Sequence, residues 1–456
     1  MDTIKTLLRQ WLETVSNGPP DPDREFIRGG ATVTSVFRMA GALQRRLDAC
    51  GEQVRQVCLC TADRALAAAA ILASLDGRTQ LVLPHASSPA ALAALYGLFP
   101  FSAAIIDDAG AIPAGVADIS PAAIDPASGG PLINIAAGAD WVRLFTGGST
   151  GAPRLWPKSP LNLLGEALFQ SRHHGIGPAD VVLATVSPLH IYGLLFSVIV
   201  PLVSSAAVVP GTPVFPAEIA DAADRFDATV LVSVPAHYRA LAAGPAFGAT
   251  LKTAFSSAGA LAPEDGAAFT QRTSAPVVEV YGSTETGGIA TRCRAVGETA
   301  YTPFPVIDWR IDDDRLSVRS AFLSATLPVD ANGYFQTADR VTPSGHGGFI
   351  LGGRTDGVVK VGGKRVDLHA VHEALMAAPG VANACVLSLP TDSGRETDIA
   401  AMVETSLGRA SILAHLAGLL EPQEIPRRVY TIERIPMTDA GKVDRAAVMR
   451  LMSDSA

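Results

Sequence analysis

The sequence predicts an α/β protein: a large N-terminal domain of parallel-rich βαβ sheets with a small β unit, followed by a small, mobile α+β C-terminal domain. Three observations predict it. Between Gln56 and Asp107, short apolar runs alternate with Ala-rich helical stretches, the pattern of parallel βαβ units. Around Trp309 to Ser320 the period changes to alternation, as in a hairpin. From about Gly352 onward, roughly 100 residues carry strands and helices of their own, enough for a separate domain.

Length and composition bound the rest. A chain of 456 residues is too long for one core, and 48% hydrophobic against 18% charged residues can fill a large one. Lys+Arg 36 against Asp+Glu 44 gives a net charge of −8, which argues against a nucleic-acid partner held by bulk charge. The N-terminus opens an amphipathic helix and lacks the apolar core of an export signal. The most apolar run, Leu194 to Pro210, is interrupted by Pro201 and Ser204-Ser205 and falls short of the ~20 residues of a membrane span. Cys50, Cys58, Cys60, Cys293 and Cys385 show no metal-like spacing and suit reduced thiols. A cytoplasmic protein is expected.

Taken in order, the strands expected first are Val57-Cys58-Leu59, Gln80 to Leu83 and Ala103 to Ile106, separated by helices over Ala65 to Leu75 and Pro89 to Leu98. Asp107 to Gly138 reads as a connection. Trp141 to Phe145 is strand-like, and a helix follows with Ser159 as N-cap, Pro160 in its first turn and Leu161, Leu164 and Leu168 on one face. Further strands are expected at Val181 to Ala184, Ala206 to Val209, Ala228 to Val232, Thr253 to Gly259 and Val277 to Gly282. The last two end in small residues, and ligands of open α/β sheets sit outside the carboxyl ends of strands. Asp312-Asp313-Asp314 reads as a solvated turn rather than a metal site, because consecutive residues do not face one way. The C-terminal part shows a hairpin around Gly362-Gly363, helices from Leu368 to Ala377 and Ser411 to Leu420, and strands at Ala384 to Ser388 and Val429 to Ile432.

Thr146-Gly147-Gly148-Ser149-Thr150-Gly151 packs three glycines and three hydroxyl residues into six positions. Such a loop can turn N–H groups and hydroxyls toward an anion. A Walker loop is excluded, since no Gly-Lys-Ser/Thr follows at the required distance. Gly147-Gly148-Ser149-Thr150-Gly151 satisfies G-x-S-x-G, and a serine hydrolase would use Ser149 with His190. That elbow must enter a helix at once, whereas Pro153 and Pro157 follow. A flap over a triphosphate and a plain turn are the other readings.

Several stretches together resemble the adenylate-forming superfamily of acyl-CoA synthetases, peptide-synthetase adenylation domains and luciferases. Thr146 to Arg154 resembles its phosphate loop, Tyr281-Gly282-Ser283-Thr284-Glu285 its second signature, and Gly333 to Asp339 its third. Gly353 to Val366 is similar to its hinge and glycine hairpin, and Pro436 to Arg445 to its closing lysine motif. The resemblance implies that a carboxylate attacks the α-phosphate of ATP, giving an acyl-adenylate and pyrophosphate, and that CoA or a phosphopantetheine then takes the acyl group. By the same resemblance, Thr146 to Gly151 with Arg154 would hold the β- and γ-phosphates and Thr284 the α-phosphate. Glu285 would hold Mg²⁺, Tyr281 would stack on adenine, and Gly282 and Ser283 of the same signature would bind the nucleotide. Ser257, Ala258 and Gly259 would border adenine and the acyl carboxyl. Asp339 would take the ribose hydroxyls beside Arg354, and Lys442 would bridge carboxylate and α-phosphate. Domains 1–352 and 353–456 would turn about a hinge near Asp356, bringing Gly362 and Gly363 to a thiol tunnel.

The chain departs from the pattern in places. Pro153-Arg154-Leu155 replaces the usual Pro-Lys-Gly, so either Arg154 or Lys158 is expected to serve for the lysine, and Ala338 replaces a usual glycine. The segment Leu189-His190-Ile191-Tyr192-Gly193 falls where relatives line the carboxylate pocket, which points to an aryl acid, with a fatty acyl chain as the alternative. A carrier protein is an alternative to CoA as acceptor, and a non-catalytic nucleotide-binding relative an alternative to an enzyme.

Overall fold

The computed structural model describes residues 2–49, 55–84, 87–108, 110, 112–119, 140–146, 154–248, 251–345, 347–361, 364–390, 397–420, 422, 424–439 and 441–454. Contacts group the chain into two compact units. The first comprises Met1–Thr299, Pro303–Asp308 and Arg319–Pro328, and the second Ala300–Thr302, Trp309–Val318 and Val329–Ala456.

In the first unit, helices α1 (Asp2–Ser16) and α2 (Val33–Asp48) precede the first sheet. The strands of that sheet are β1 (Arg55–Cys60), β2 (Thr79–Leu83), β3 (Ala103–Ile106), β4 (Ala117–Asp118), β5 (Val142–Thr146) and β6 (Arg154–Lys158), in the order β4-β3-β1-β2-β5-β6. All its pairs are parallel except β5 with β6, so the expected βαβ units are present. The crossover helix α3 (Arg64–Ala73) is buried along its whole length, as expected of a helix that is apolar throughout after Arg64. Helix α4 (Pro89–Leu98) covers the other side, with Leu92 and Leu95 against Cys58, Val82 and Ile106. Burial pushes the Cys58 and Cys60 thiols well above the ordinary range, consistent with packing rather than reactivity.

Helix α5 (Pro160–His173) begins where the sequence signal placed it. Ser159 Oγ accepts from Asn162 N–H at 3.2 Å and Asn162 Oδ1 accepts from Ser159 N–H at 2.8 Å, with Pro160 in the first turn. The second sheet is built from β7 (Val181–Ala184), β8 (Ala207–Val208), β9 (Val230–Ser233), β10 (Thr253–Ser256), β11 (Val277–Ser283), β12 (Gly287–Cys293) and β13 (Thr302–Pro303), in the order β13-β12-β11-β10-β9-β7-β8. Between β7 and β8 the chain forms α6 (Ile191–Leu194), a π-helical turn over Leu195–Ile199 and α7 (Val200–Ser204). Pro201 has no N–H to offer the Ser197 carbonyl, which accounts for irregular helix here. One face of the sheet is covered by α8 (Pro216–Arg225), α9 (Pro235–Ala242) and α10 (Pro263–Thr273), through Ile219, Tyr238, Leu241 and Phe269.

The second unit contains a four-stranded sheet of β14 (Asp308–Asp312), β15 (Arg315–Arg319), β16 (Phe335–Pro343) and β17 (Phe349–Arg354). Asp313 and Asp314 make the expected turn, both at positive φ of 50° and 61°. A hairpin of β18 (Val358–Val361) and β19 (Lys364–Asp367) leads to α11 (Leu368–Met376). The sheet of β20 (Val381–Pro390), β21 (Thr397–Thr405) and β22 (Arg428–Ile432) carries α11 and α12 (Arg409–Ala417) on one face and α13 (Arg445–Asp454) on the other. Alternation along β20 explains this: Ala384 and Val386 face one core, Cys385 and Leu387 the other.

Candidate active site

The carboxyl ends of β7, β9, β10 and β11 gather polar side chains. Thr185 Oγ1 lies 2.7 Å from Ser233 Oγ, and His237 Nδ1 lies 2.7 Å from the same threonine oxygen. Burial pushes the His237 pKa down, so its ring is neutral near pH 7. Nothing in the sequence marked His237, because its partner Thr185 lies 52 residues earlier, just past the end of β7. Ser257 Oγ donates to the Val280 carbonyl at 2.8 Å, which ties the segment after β10 to β11. Ala258 follows at a φ of +70°, a conformation that favours glycine. His190 and Tyr192 are half-buried, and Gly193 between Tyr192 and the π-helical turn is fixed by space: a Cβ there would lie 2.0 Å from the Ser187 carbonyl oxygen.

Tyr281 to Gly288 is the most closely specified stretch. Strands β11 and β12 approach so closely that a Cβ on Gly282 would meet the Gly287 carbonyl oxygen at 2.2 Å. Ser283 N–H donates to Thr286 Oγ1 at 3.1 Å, and their hydroxyls lie 2.8 Å apart, so both side chains close the turn. The Ser283 hydroxyl, expected beside nucleotide, is thus engaged in the turn itself. Thr284 and Glu285 remain half-exposed at the tip. The Glu285 carbonyl accepts from Ser324 N–H at 2.8 Å and from Lys158 Nζ at 3.1 Å. A half-exposed carboxylate on an anchored main chain, next to a hydroxyl, is a donor set that suits a hard divalent cation.

Lys158 is only 1% exposed, and its ammonium also donates to the Phe322 carbonyl at 2.9 Å. Its ammonium is thus engaged inside the fold, whereas Arg154 is exposed at the start of β6, opposite Thr146. Gly147, Gly148, Ser149, Thr150 and Gly151 lie outside the described residues, as do Gly362 and Gly363.

Along α5 a polar stripe is buried that the leucine pattern did not reveal. Asn162 Nδ2 donates to the carbonyls of Ala321 and Leu323 at 2.7 and 3.0 Å, and Glu166 Oε1 accepts from Gly288 N–H at 2.7 Å. Among the described residues Glu166 Oε2, both amide atoms of Gln170, and His174 Nε2 are buried without a hydrogen-bond partner. Burial pushes the Glu166 pKa up and that of Lys158 down. Burial, and then His173, hold His174 down at about 3.

In the second unit Asp339 on β16 stands opposite Arg354 on β17, beside a register break. Thr355 Oγ1 donates to the Ala338 carbonyl at 3.1 Å, at the start of the short 3₁₀ turn Thr355–Gly357 that contains Asp356. Lys442 is exposed on a tight turn in which Thr438 N–H donates to the Lys442 carbonyl at 2.7 Å and Gly441 takes a φ of +70°.

Residues 134–320 match the family model described as AMP-binding enzyme. The sulfoacetate–CoA ligase of Cupriavidus necator is 28% identical over 374 residues, covering 75% of this chain and 72% of that protein. The 4-coumarate–CoA ligase of Rhodobacter capsulatus is 31% identical over 302 residues, covering 65% of this chain and 73% of that protein. Among solved structures, ATP-bound MatB from Rhodopseudomonas palustris superposes with a TM-score of 0.83 at 22% identity, covering 98% of this chain and 99% of that one. With that identity to the coumarate ligase and a fold matched over nearly its full length, the chain belongs to the AMP-binding enzymes, the adenylate-forming superfamily.

Proposed function

We propose that this chain, an ATP-dependent, AMP-forming acid–thiol ligase, acts on an aryl carboxylic acid in the cytoplasm and passes the acyl group to CoA. The observation that carries the reading is the anchored turn Ser283 to Thr286, which presents Thr284 and Glu285 at the carboxyl end of a central strand. Thr284 donates to the α-phosphate, and Tyr281, Gly282 and Ala258 border the adenine. Mg²⁺ held by Glu285 would neutralise phosphate charge as the carboxylate approaches. Arg154 and the glycine loop that starts at Thr146 bind the departing pyrophosphate. Asp339 accepts from the ribose hydroxyls. Lys442 donates to both the acid and the α-phosphate, and a hinge at Asp356 between domains 1–352 and 353–456 withdraws it before thiol transfer. His190 and Tyr192 are half-buried and His237 is neutral, and an acid pocket lined by such weakly polar groups would suit an aromatic acid better than a strongly anionic one.

ATP–pyrophosphate exchange over a panel of aryl, alkyl and dicarboxylic acids tests this, with CoA and a pantetheinylated carrier protein compared as acceptors. Exchange with aryl acids and thioester formation on free CoA are expected. Exchange confined to alkyl acids overturns the substrate, and transfer only to the carrier protein overturns the acceptor. Lys442→Ala should lose exchange yet still convert supplied acyl-adenylate to thioester.

A further inference from the structure

We propose that Lys158 and Glu166 are positioning residues: two buried, ionisable side chains that hold the main chain at Glu285 and at Gly288, three residues on, and so fix where the Glu285 carboxylate stands. The inference rests on the reading of Glu285 given above. Lys158 closes β6 and Glu166 lies in the second turn of α5, so both project from one rigid strand–helix junction. Lys158 Nζ donates to the Glu285 carbonyl at 3.1 Å, and Glu166 Oε1 accepts from Gly288 N–H at 2.7 Å. The two bonds grip the turn at residues three apart. The second contact is shaped as well as bonded, since a Cβ on Gly287 would lie 2.6 Å from Glu166 Oε2 and one on Gly288 would lie 3.0 Å from Oε1. Lys158 also donates to the Phe322 carbonyl, while Ser324 N–H donates to that of Glu285, so the loop Phe322–Ser324 is clamped in the same way.

Stability alone does not account for these side chains. Lys158 and Glu166 are 1% and 2% exposed, and a buried charge commonly adds less stability than an apolar residue of similar volume. What an apolar pair could not do is donate to one end of the turn and accept from the other. That asymmetry is the reason to assign them to geometry.

The test compares wild type, Glu166→Gln, Glu166→Leu and the double variant Lys158→Met/Glu166→Leu. Gln44→Ala, which removes a bond from Gln44 Nε2 to the Ala73 carbonyl far along the chain, serves as a stability control. Three quantities are read: thermal midpoint, hydrogen exchange of the peptide spanning 283–290, and exchange kinetics as a function of Mg²⁺ and ATP. Glu166→Gln keeps an acceptor for Gly288 N–H and should stay within about threefold of wild type, whereas the leucine variants should lose about 10- to 100-fold, the usual range for residues that orient a ligand. That loss should fall on the Mg²⁺ and ATP dependence and come with faster exchange at 283–290. A double variant that does not fold leaves Glu166→Leu against Glu166→Gln as the deciding pair. Leucine variants with unchanged Mg²⁺ dependence and unchanged protection overturn the positioning role. So does a loss of activity no larger than that of Gln44→Ala at the same fall in midpoint. A wild-type chain inactive with every acid overturns the ligase reading, and this proposal with it.

Discussion

The guanidinium of Arg64 donates to the Ser197 hydroxyl at 3.0 Å, and that hydroxyl donates in turn to the Gly193 carbonyl at 2.7 Å. The same guanidinium reaches the carbonyls of Ala184, Val186 and Gly211 and the Thr212 hydroxyl. One buried fork from α3 of the first sheet therefore secures the chain on either side of His190 and the π-helical turn. Arg64→Lys keeps a positive charge but loses the planar fork. We expect a loss of about 1–3 kcal/mol, as buried carbonyls go unpaired, together with a raised KM for the acid. Urea unfolding and steady-state kinetics check this, and an unchanged KM would detach Arg64 from the acid pocket.

Gly282→Ala puts a methyl against the main chain of Gly287 and Gly288, which cannot swing aside as a side-chain tip could. Opening the hairpin should lower pyrophosphate exchange by more than about tenfold. Gly97→Ala in α4 is the contrast: its Cβ meets nothing within 4 Å, and the helix should gain about 0.5–1 kcal/mol. Equal behaviour of the two variants would refute the close-approach argument.

Glu279 and Arg292 face each other across β11 and β12, with hydrogen bonds of 2.9 and 2.7 Å, and Arg294 adds a third at 2.9 Å. Arg292→Met takes two charge-assisted bonds from a buried carboxylate and should destabilise by about 3 kcal/mol. Glu279→Leu in the same chain should restore much of that loss. The denaturant midpoints of the single and double variants decide it; additive losses would contradict the pairing.

Ala258 at φ +70° carries backbone strain that glycine would not. Ala258→Gly should leave stability unchanged or raise it by up to about 1 kcal/mol, while Ala258→Val should lower it by more than that. Midpoints in urea, read beside the KM for ATP, test both. A clear fall for Ala258→Gly would mean that the methyl contributes more through packing than it loses through strain.

His174 packs edge-on against Phe255, with ring centroids 4.7 Å apart, and its pKa is held at about 3 against an ordinary 6.5. A depressed pKa means that the folded chain binds fewer protons than the unfolded one across that interval. Its contribution is fully present above 6.5 and is lost as pH falls toward 3. Glu166, pushed upward by burial, works in the opposite sense, so the difference between wild type and His174→Leu isolates the histidine. The drop in midpoint between about pH 7 and about pH 4.5 should be smaller in His174→Leu. Parallel acid limbs would refute it.

Much of the fold was legible because its signals are local. Pro89–Leu98 and Ala103–Ile106 fall where the apolar runs place them, and Ser159, Pro160 and Asn162 write the start of α5 into four residues. What the sequence could not disclose depends on distant partners. Arg64 looks like any helix-opening arginine until residues 133 and 147 positions away close around it. Strand β6 was hidden by Pro157, tolerated on an edge strand whose outer side needs no ladder bond. Thr284 and Glu285 were legible as a motif, but the choice between Arg154 and Lys158 stayed open in the sequence, because the burial of Lys158 cannot be seen in a charged residue near a loop. The α8, α9 and α10 helices open with Pro216, Pro235 and Pro263 in the first turn, but Phe215, Val234 and Ala262 before them offer no side-chain cap, so only half of the signal written at Ser159-Pro160 is present.

The buried polar residues Asn162 and Glu166 also act as the teeth of a key. A helix docked through leucines alone can slide or turn a little and still find apolar neighbours. In α5 a one-residue slip moves every tooth about 1.5 Å along and about 100° around the axis, stranding Asn162 and Glu166 away from the carbonyls and amide they meet. Near-miss dockings of this helix are therefore penalised at several points at once. Insertions or deletions within α5 should accordingly be far less tolerated than substitutions on it, and grafts between relatives should keep β6, α5 and the Ser283–Gly288 turn together as one piece.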